Sequence, residues 1–204
     1  FRRCRGCVVD YCTIERLFGG AVVILGIDPG LAHTGWGVIE TKGSLCRARA
    51  YGCCATGTEE PMDVRLHSIY KEIRQVIDRY HPSEVAIEQI FFGQNTKSAI
   101  ATAHARGAAL VACACGGCIV GEYTPMQIKK AVAGTGAADK HQVTTMTRIL
   151  LALDHDPKPD HCADALAAAV CHAHTVQNER RAQRAHEAVA GLQRCPGGAL
   201  ERSR

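Results

Sequence analysis

Residues 22–28, VVILGID, are apolar until they end in an acid, which predicts a strand buried on both faces. Pro29-Gly30 stops it. Gly35, Gly37 and the run 36–39 predict a hairpin into a second strand, and 47–54 a third. The period then changes. After Pro61, Leu66, Ile69, Ile73, Val76, Ile77 and Tyr80 recur at helical spacing, with Arg65, Lys71, Glu72, Arg74 and Asp78 opposite, and His81-Pro82 ends the helix. Residues 84–88, EVAIE, form another short strand ending in an acid, 95–115 an Ala-rich helix, and 118–123 a fifth strand. Thr124-Pro125 supplies the cap and first position of a short helix to Ala133, followed by a Gly134-Thr135-Gly136 turn. A helix over about 139–153, a Pro-broken loop and a last helix over about 160–174 complete the pattern. Beyond Thr175 the chain is Arg- and Ala-rich with a weak apolar face, and order is expected to be lost.

A three-strand meander followed by alternating helices and strands predicts an α/β fold: a five-stranded mixed sheet with helices on both faces. That order is compatible with a ribonuclease H-like fold. The 204 residues suffice for one domain with a proper core. No apolar run approaches the roughly 18–20 residues that span a bilayer, and Asp10, Glu15 and Arg16 interrupt any signal-peptide core. The net charge of +4 sits in the ends: residues 21–174 carry 14 basic and 15 acidic side chains. A nucleic-acid surface must therefore be a local basic patch, or come from the tails. The twelve cysteines stand singly or in Ala-like contexts, and the lone Cys4–Cys7 pair has no second pair at zinc-finger spacing. They read as small apolar residues in a reducing, cytoplasmic protein.

Three segments carry candidate chemistry. Asp28 ends the first strand, Glu88 ends the fourth, and His161 and Asp164 share a face of the last helix at i, i+3. Singly, Asp28 could cap the Pro29-Gly30 turn, Glu88 could be half of an ion pair, and His161 could be an ordinary helix-start residue. Together they favour a metal. An unpaired carboxylate in an apolar strand costs several kcal/mol, and a divalent cation relieves that cost. Carboxylate oxygens suit Mg²⁺, and two ions roughly 3.5–4 Å apart can serve both oxygens of a phosphodiester displacement.

The segments ILGIDPGLAHTGWGVIE (24–40), VAIEQIFFGQNTKSA (85–99), ARG (105–107), YTPMQIKKAVAGTGAADKHQV (123–143) and HCADALAAAV (161–170) resemble, in order and spacing, the RuvC family of crossover (Holliday) junction endodeoxyribonucleases. The resemblance covers about 22–175. It implies a ribonuclease H-like fold, a homodimer, a requirement for Mg²⁺ with Mn²⁺ substituting, and paired nicks in four-way junction DNA during recombination and repair. It also implies RuvA and RuvB branch-migration proteins as partners. Asp28, Glu88 and Asp164 fall on the family's catalytic carboxylates. His161 falls on a position that is Asp in some members and His in others. Lys129 and Lys140 match basic residues near the scissile strand, and Phe91 an aromatic that stacks at the opened junction.

With His161 the site holds three carboxylates rather than four. This should weaken Mg²⁺ relative to Mn²⁺. His161 is either a metal ligand or the group that orients or deprotonates the attacking water. Asp160 is the other candidate for the missing acid, but the HxxD register fits better. Lys129, Lys130, Lys140 and Arg148, offset by Asp139, give a local charge of +3 for phosphate contacts, the alternative being a solvated helix face. Phe91-Phe92 is either core or a base-stacking pair. The Ala-rich helix 96–112 is the expected dimer surface, against its packing internally on the sheet. Rival readings are a sugar-kinase/actin-like ATPase, a junction-binding module without catalysis, and an RNA-cutting nuclease of the same fold. The chain opens on Phe, and residues 1–21 are read as an N-terminal extension from a misassigned start, initiation lying near Val22. Residues 22–175 are the expected domain, and 176–204 a basic disordered tail.

Overall fold

The computed structural model describes residues 21–90 and 96–193, the side chains of 96–98, 184, 185 and 187–193 excepted. The five strands are β1 (Val22–Asp28), β2 (His33–Lys42), β3 (Leu45–Ala55), β4 (Glu84–Glu88) and β5 (Ile119–Tyr123). The described helices are α1 (Met62–Tyr80), α2 (Thr96–Cys115), α3 (Pro125–Ala133), α4 (Lys140–Leu150) and α5 (Asp160–Gln193). The strands form one sheet in the order β3-β2-β1-β4-β5. β1, β2 and β3 pair antiparallel, while β4 lies parallel to both β1 and β5. The mixed sheet predicted from the pattern is thus present. β2 and β3 run several residues longer than their apolar runs because antiparallel pairing carries polar flanks such as Thr41 and Arg47 into the ladder.

Both faces of the sheet are covered. Leu25, Ile27, Val38, Val85 and Ile87 point toward α1 and α2. Ile24, Ile39 and Ala86, on the alternate residues, point toward α3, α4 and α5. A strand changes face every residue, so Asp28 follows Ile24, and Glu88 follows Ala86, onto the α5 side.

Where α5 crosses the sheet, the packing is backbone against backbone. A Cβ on Gly26 would run into the carbonyl oxygen of Ala165, and one on Gly35 into that of His161. The helix answers with small residues: Ala163, Ala165, Ala167 and Ala169 are all fully buried, around Leu166 and Val170. The sheet glycines are therefore the complement of an alanine-faced helix.

The last helix departs from expectation. It does not stop near His174 but continues to Gln193, so residues 176–193 are not the disordered tail read from the sequence, while 194–204 and 1–20 lie outside the described residues. Ala, Arg, Glu and Gln are good helix formers and extend a helix already nucleated on the core. Arg180 ties the extension down by donating to the buried Glu84 carboxylate at 3.3 Å. α2 packs inward through Ala105, Ala109, Ala112 and Cys113, as the internal alternative required, yet Ile100, His104, Gly107 and Val111 remain exposed in one line on its outer side.

A Gly26→Ala substitution should lower stability by about 1–3 kcal/mol, the usual cost of overpacking. Urea unfolding followed by circular dichroism should show the midpoint fall, with α5 pushed off the sheet rather than β1 displaced.

Candidate active site

Asp28 is the last residue of β1, opposite Gly35 of β2. The turn that follows is braced. The Thr34 hydroxyl, fully buried, donates to the Gly30 carbonyl at 2.7 Å. Thr56 N–H donates to Ala32 at 3.0 Å, its hydroxyl donates to the Leu31 carbonyl, and Arg65 Nε donates back to Thr56 Oγ1 at 2.9 Å. Glu88 closes β4 beside Tyr123 of β5. The first turn of α5 then sets His161 and Asp164 above these strand ends. One ligand atom from each of Asp28, His161 and Asp164 lies within 4.8 Å of the others, the single such grouping among the described residues. His161 Nδ1 is 2.7 Å from Asp28 Oδ2. The carboxylate side chains are only partly accessible, Asp28 at 18% and Asp164 at 29%.

Burial, and after it the crowding of like charge, sets the electrostatics. Two unit charges roughly 5 Å apart repel by about 3 kcal/mol at an effective dielectric near 20. Glu88 responds: burial, then the charges of Asp28 and Asp164, push its carboxyl up to about 7, against an opposing pull from Lys129. Asp164 is raised as well, by burial first and Asp28 second, with Lys140 and His161 working the other way. The Lys140 ammonium lies 3.5 Å from Asp164 Oδ2 and 3.2 Å from Asp160 Oδ2. Burial works against its charge, but the two carboxylates outweigh that and raise its pKa. A site that raises carboxylate pKa values and draws in a lysine is short of positive charge. Two hard carboxylates and a borderline imidazole within 4.8 Å of one another, with the Glu88 carboxyl near enough to feel both acids, form a donor set that fits a divalent cation such as Mg²⁺ or Mn²⁺.

A cleft of about 240 Å³ opens beside the acids, lined by Glu88, Lys129, Lys140 and Asp164 with Pro125, Ile128, Val143 and Ala167. Two capping boxes aim its helices. Thr124 and Gln127 cap α3, which carries Lys129; Asp139 and Gln142 cap α4, which begins at Lys140. Lys129 and Lys140 are thus brought to the acids. Lys130 is not: it lines a separate hollow with Cys171, His174 and Thr175 on the other side of α3. Arg148 stands further along α4, paired with Asp156 at 2.9 Å. Asp160 stays out on the surface, 72% accessible, so the HxxD register is the one that reaches Asp28. Phe91 lies outside the described residues.

Sequence reasoning passed over His33. Its ring stacks on His161, centroids 5.4 Å apart and planes within 6°. The available signal was parity, since His33 shares its strand face with Gly35, the residue that admits α5.

Glu88 yields a pH test. Its folded pKa is raised above the ordinary 4.5, so protonation stabilises the metal-free fold. That stability is fully present below about 4.5 and is lost as pH rises through about 7. A divalent cation reverses the trend by favouring the charged form. Mn²⁺ should therefore raise the melting temperature more at pH 8 than at pH 5.5, by scanning calorimetry with and without chelator. An equal shift at both values would contradict the assignment.

Comparison with known proteins gives the family. The family model described as crossover junction endodeoxyribonuclease RuvC matches residues 24–172. The protein of that description from Desulforamulus reducens is 48% identical over 152 residues, covering 74% of this chain and 93% of its own. The one from Desulfitobacterium hafniense (strain DSM 10664 / DCB-2) is 50% identical over 155 residues, covering 76% and 94%. Among solved structures, Thermus thermophilus RuvC in complex with Holliday junction substrate superposes with a TM-score of 0.75 at 39% identity, covering 78% of this chain and 96% of that one. A second T. thermophilus RuvC structure gives 0.69 at 41%, covering 74% and 93%. The five-stranded mixed sheet with helices on both faces is a ribonuclease H-like fold, and the chain belongs to the crossover junction endodeoxyribonuclease RuvC family.

Proposed function

We propose that this protein resolves four-way DNA junctions by paired, metal-dependent hydrolysis of phosphodiester bonds in recombination and repair. The observation that carries the reading is the convergence of Asp28, His161 and Asp164 within 4.8 Å, with Glu88 beside them at the mouth of a lysine-lined cleft. Asp28, Glu88 and Asp164 would hold two Mg²⁺ ions, or Mn²⁺ in their place, with His161 as fourth member of the site. When bound, the ions supply Lewis acidity at the attacking and leaving oxygens. The chain's own residues do the rest. Asp28 accepts from His161 Nδ1–H, which leaves Nε2 with its lone pair toward a metal or a water. Lys129 and Lys140 bind the phosphates on either side of the scissile bond, drawn there by the field that already holds Lys140 beside Asp164. Lys130 and Arg148 contact the strand further out, and Phe91 stacks on an unpaired base.

Symmetric nicks require two sites related by a two-fold axis, hence a homodimer. The outward line Ile100, His104, Gly107 and Val111 on α2 is the surface we assign to the second copy, since large apolar side chains are half exposed there (Ile100 50%, Val111 55%). No helix among the described residues is long and apolar enough to cross a membrane. A cytoplasmic location and cooperation with RuvA and RuvB go with the chromosomal substrate. The domain is read as beginning near Val22, with α5 carrying it past the expected boundary at 175.

Four-way DNA, duplex DNA and RNA–DNA hybrid should be cleaved in that order of preference in Mg²⁺ or Mn²⁺. Asp28→Asn should reduce nicking roughly 10²-fold or more while junction binding persists, the scale lost when one stabiliser of transition-state charge is removed. Wild-type nicking by this variant would refute the metal assignment. Lys140→Ala should weaken junction binding and flatten the plot of log affinity against log salt by about one phosphate's worth, roughly 0.9. An unchanged slope would return Lys140 to the status of a solvated helix residue.

A further inference from the structure

His33 opens β2 and lies opposite Ala55 at the rim of the sheet. It is solvent-exposed, so core packing does not explain its ring position. Its backbone is nonetheless fixed on both sides, by the Ala32 carbonyl accepting from Thr56 N–H and by the buried Thr34 hydroxyl on Gly30. One pleat further on, Gly35 admits the first turn of α5 so closely that a Cβ there would meet His161 Cβ at 2.9 Å. Residues on alternate positions of a strand share a face, so the same crossing delivers the His33 ring to the His161 ring.

The His161 imidazole has two restraints. Nδ1 is hydrogen-bonded to Asp28 Oδ2 at 2.7 Å, which fixes one edge. A single edge contact still leaves the ring free to rock about the hydrogen-bond direction. A second flat ring against its face, 5.4 Å away and tilted by only 6°, takes up that freedom. The ring, Nε2 included, is then held in a fixed plane beside Asp28. Partners that orient a metal-site imidazole commonly affect metal affinity or activity by 10–100-fold.

We propose that His33 is a positioning residue for the reaction: its imidazole, stacked on His161, holds the plane of that ring so that Nε2 is presented to the Asp28–Asp164 site. Ring shape matters here, and the His33 nitrogens do not. The proposal rests on the reading of His161 as a member of the metal site.

The test compares wild type, H33A, H33F and H161A. Mn²⁺ binding to DNA-free protein is followed by electron paramagnetic resonance titration, and junction nicking is measured at saturating enzyme. H33A should weaken Mn²⁺ binding about 10-fold and slow nicking to a similar degree, leaving junction affinity and melting temperature unchanged. H33F, which keeps a flat ring and has no nitrogen, should recover most of both. H33A matching wild type in Mn²⁺ binding would overturn the proposal. So would H33F as impaired as H33A, because His33 would then act through a nitrogen. H161A binding Mn²⁺ as well as wild type would remove the underlying reading of His161 and this proposal with it. Impaired H161A beside normal H33A would remove the stacking role alone.

Discussion

The contact between the glycine faces of the central strands and the alanine face of α5 governs everything else in this molecule. Gly26 and Gly35 have no side chain where the helix backbone passes, and Ala163 and the run from Ala165 to Cys171 are buried on that side of the molecule. Close approach is what brings Asp164 and His161 from the helix onto Asp28 and Glu88 from the strands. With ordinary side chains at the crossing, α5 would ride higher, and its carboxylate would stand off the strand ends by about the depth of a side chain. Burial of Leu166 and Val170, worth roughly 1.5–3 kcal/mol each, offsets part of the repulsion among the acids gathered at one end of the same helix.

The far end of α5 is held by different chemistry. His172 is buried, and its Nε2 lies 2.9 Å from Glu84 Oε2 while its Nδ1 lies 2.8 Å from the Tyr123 hydroxyl. Burial pushes the Tyr123 hydroxyl up to about 12, so it stays protonated. The relay runs Tyr123 to His172 to Glu84, with Arg180 completing it from the helix extension. Removing one member would leave a buried polar group unpaired, which makes the network a register pin for the helix rather than a surplus of stability. α5 is thus fixed along its axis by polar pairing at one end, and in its height above the sheet by glycines at the other.

The active end is built for a substrate that carries negative charge despite being acidic itself. Lys129 and Lys140 come from helices α3 and α4, each started by a capping box, so local sequence sets where each helix begins, and the acids then draw in the Lys140 ammonium. Residues 21–174 carry almost no net charge, and the attraction for a phosphate backbone is correspondingly local. Lys140 in ion-pair reach of Asp164 shows the balance: the same field that recruits metal cations recruits a lysine.

The one-dimensional pattern alone determined the strands β1, β4 and β5, the helices α1 to α4 to within a few residues, and the two faces of each strand, because period and end signals are local properties. It also marked Asp28 and Glu88, since an acid that ends an apolar strand is costly without a partner, and the shared helix face and the RuvC resemblance marked His161 and Asp164. Other features required the folded chain. Whether His161 or Asp160 meets Asp28 depends on the rotation of α5, which Gly35 sets from 126 positions earlier. That Lys129 joins the acids while Lys130 turns toward Cys171 is a matter of which side of α3 faces the sheet. The reach of α5 to Gln193 depends on Glu84, a residue of another strand that accepts Arg180. The stacking of His33 on His161 shows in the sequence only as the shared strand parity of His33 and Gly35, because it arises where two elements cross and neither carries a record of its partner ring.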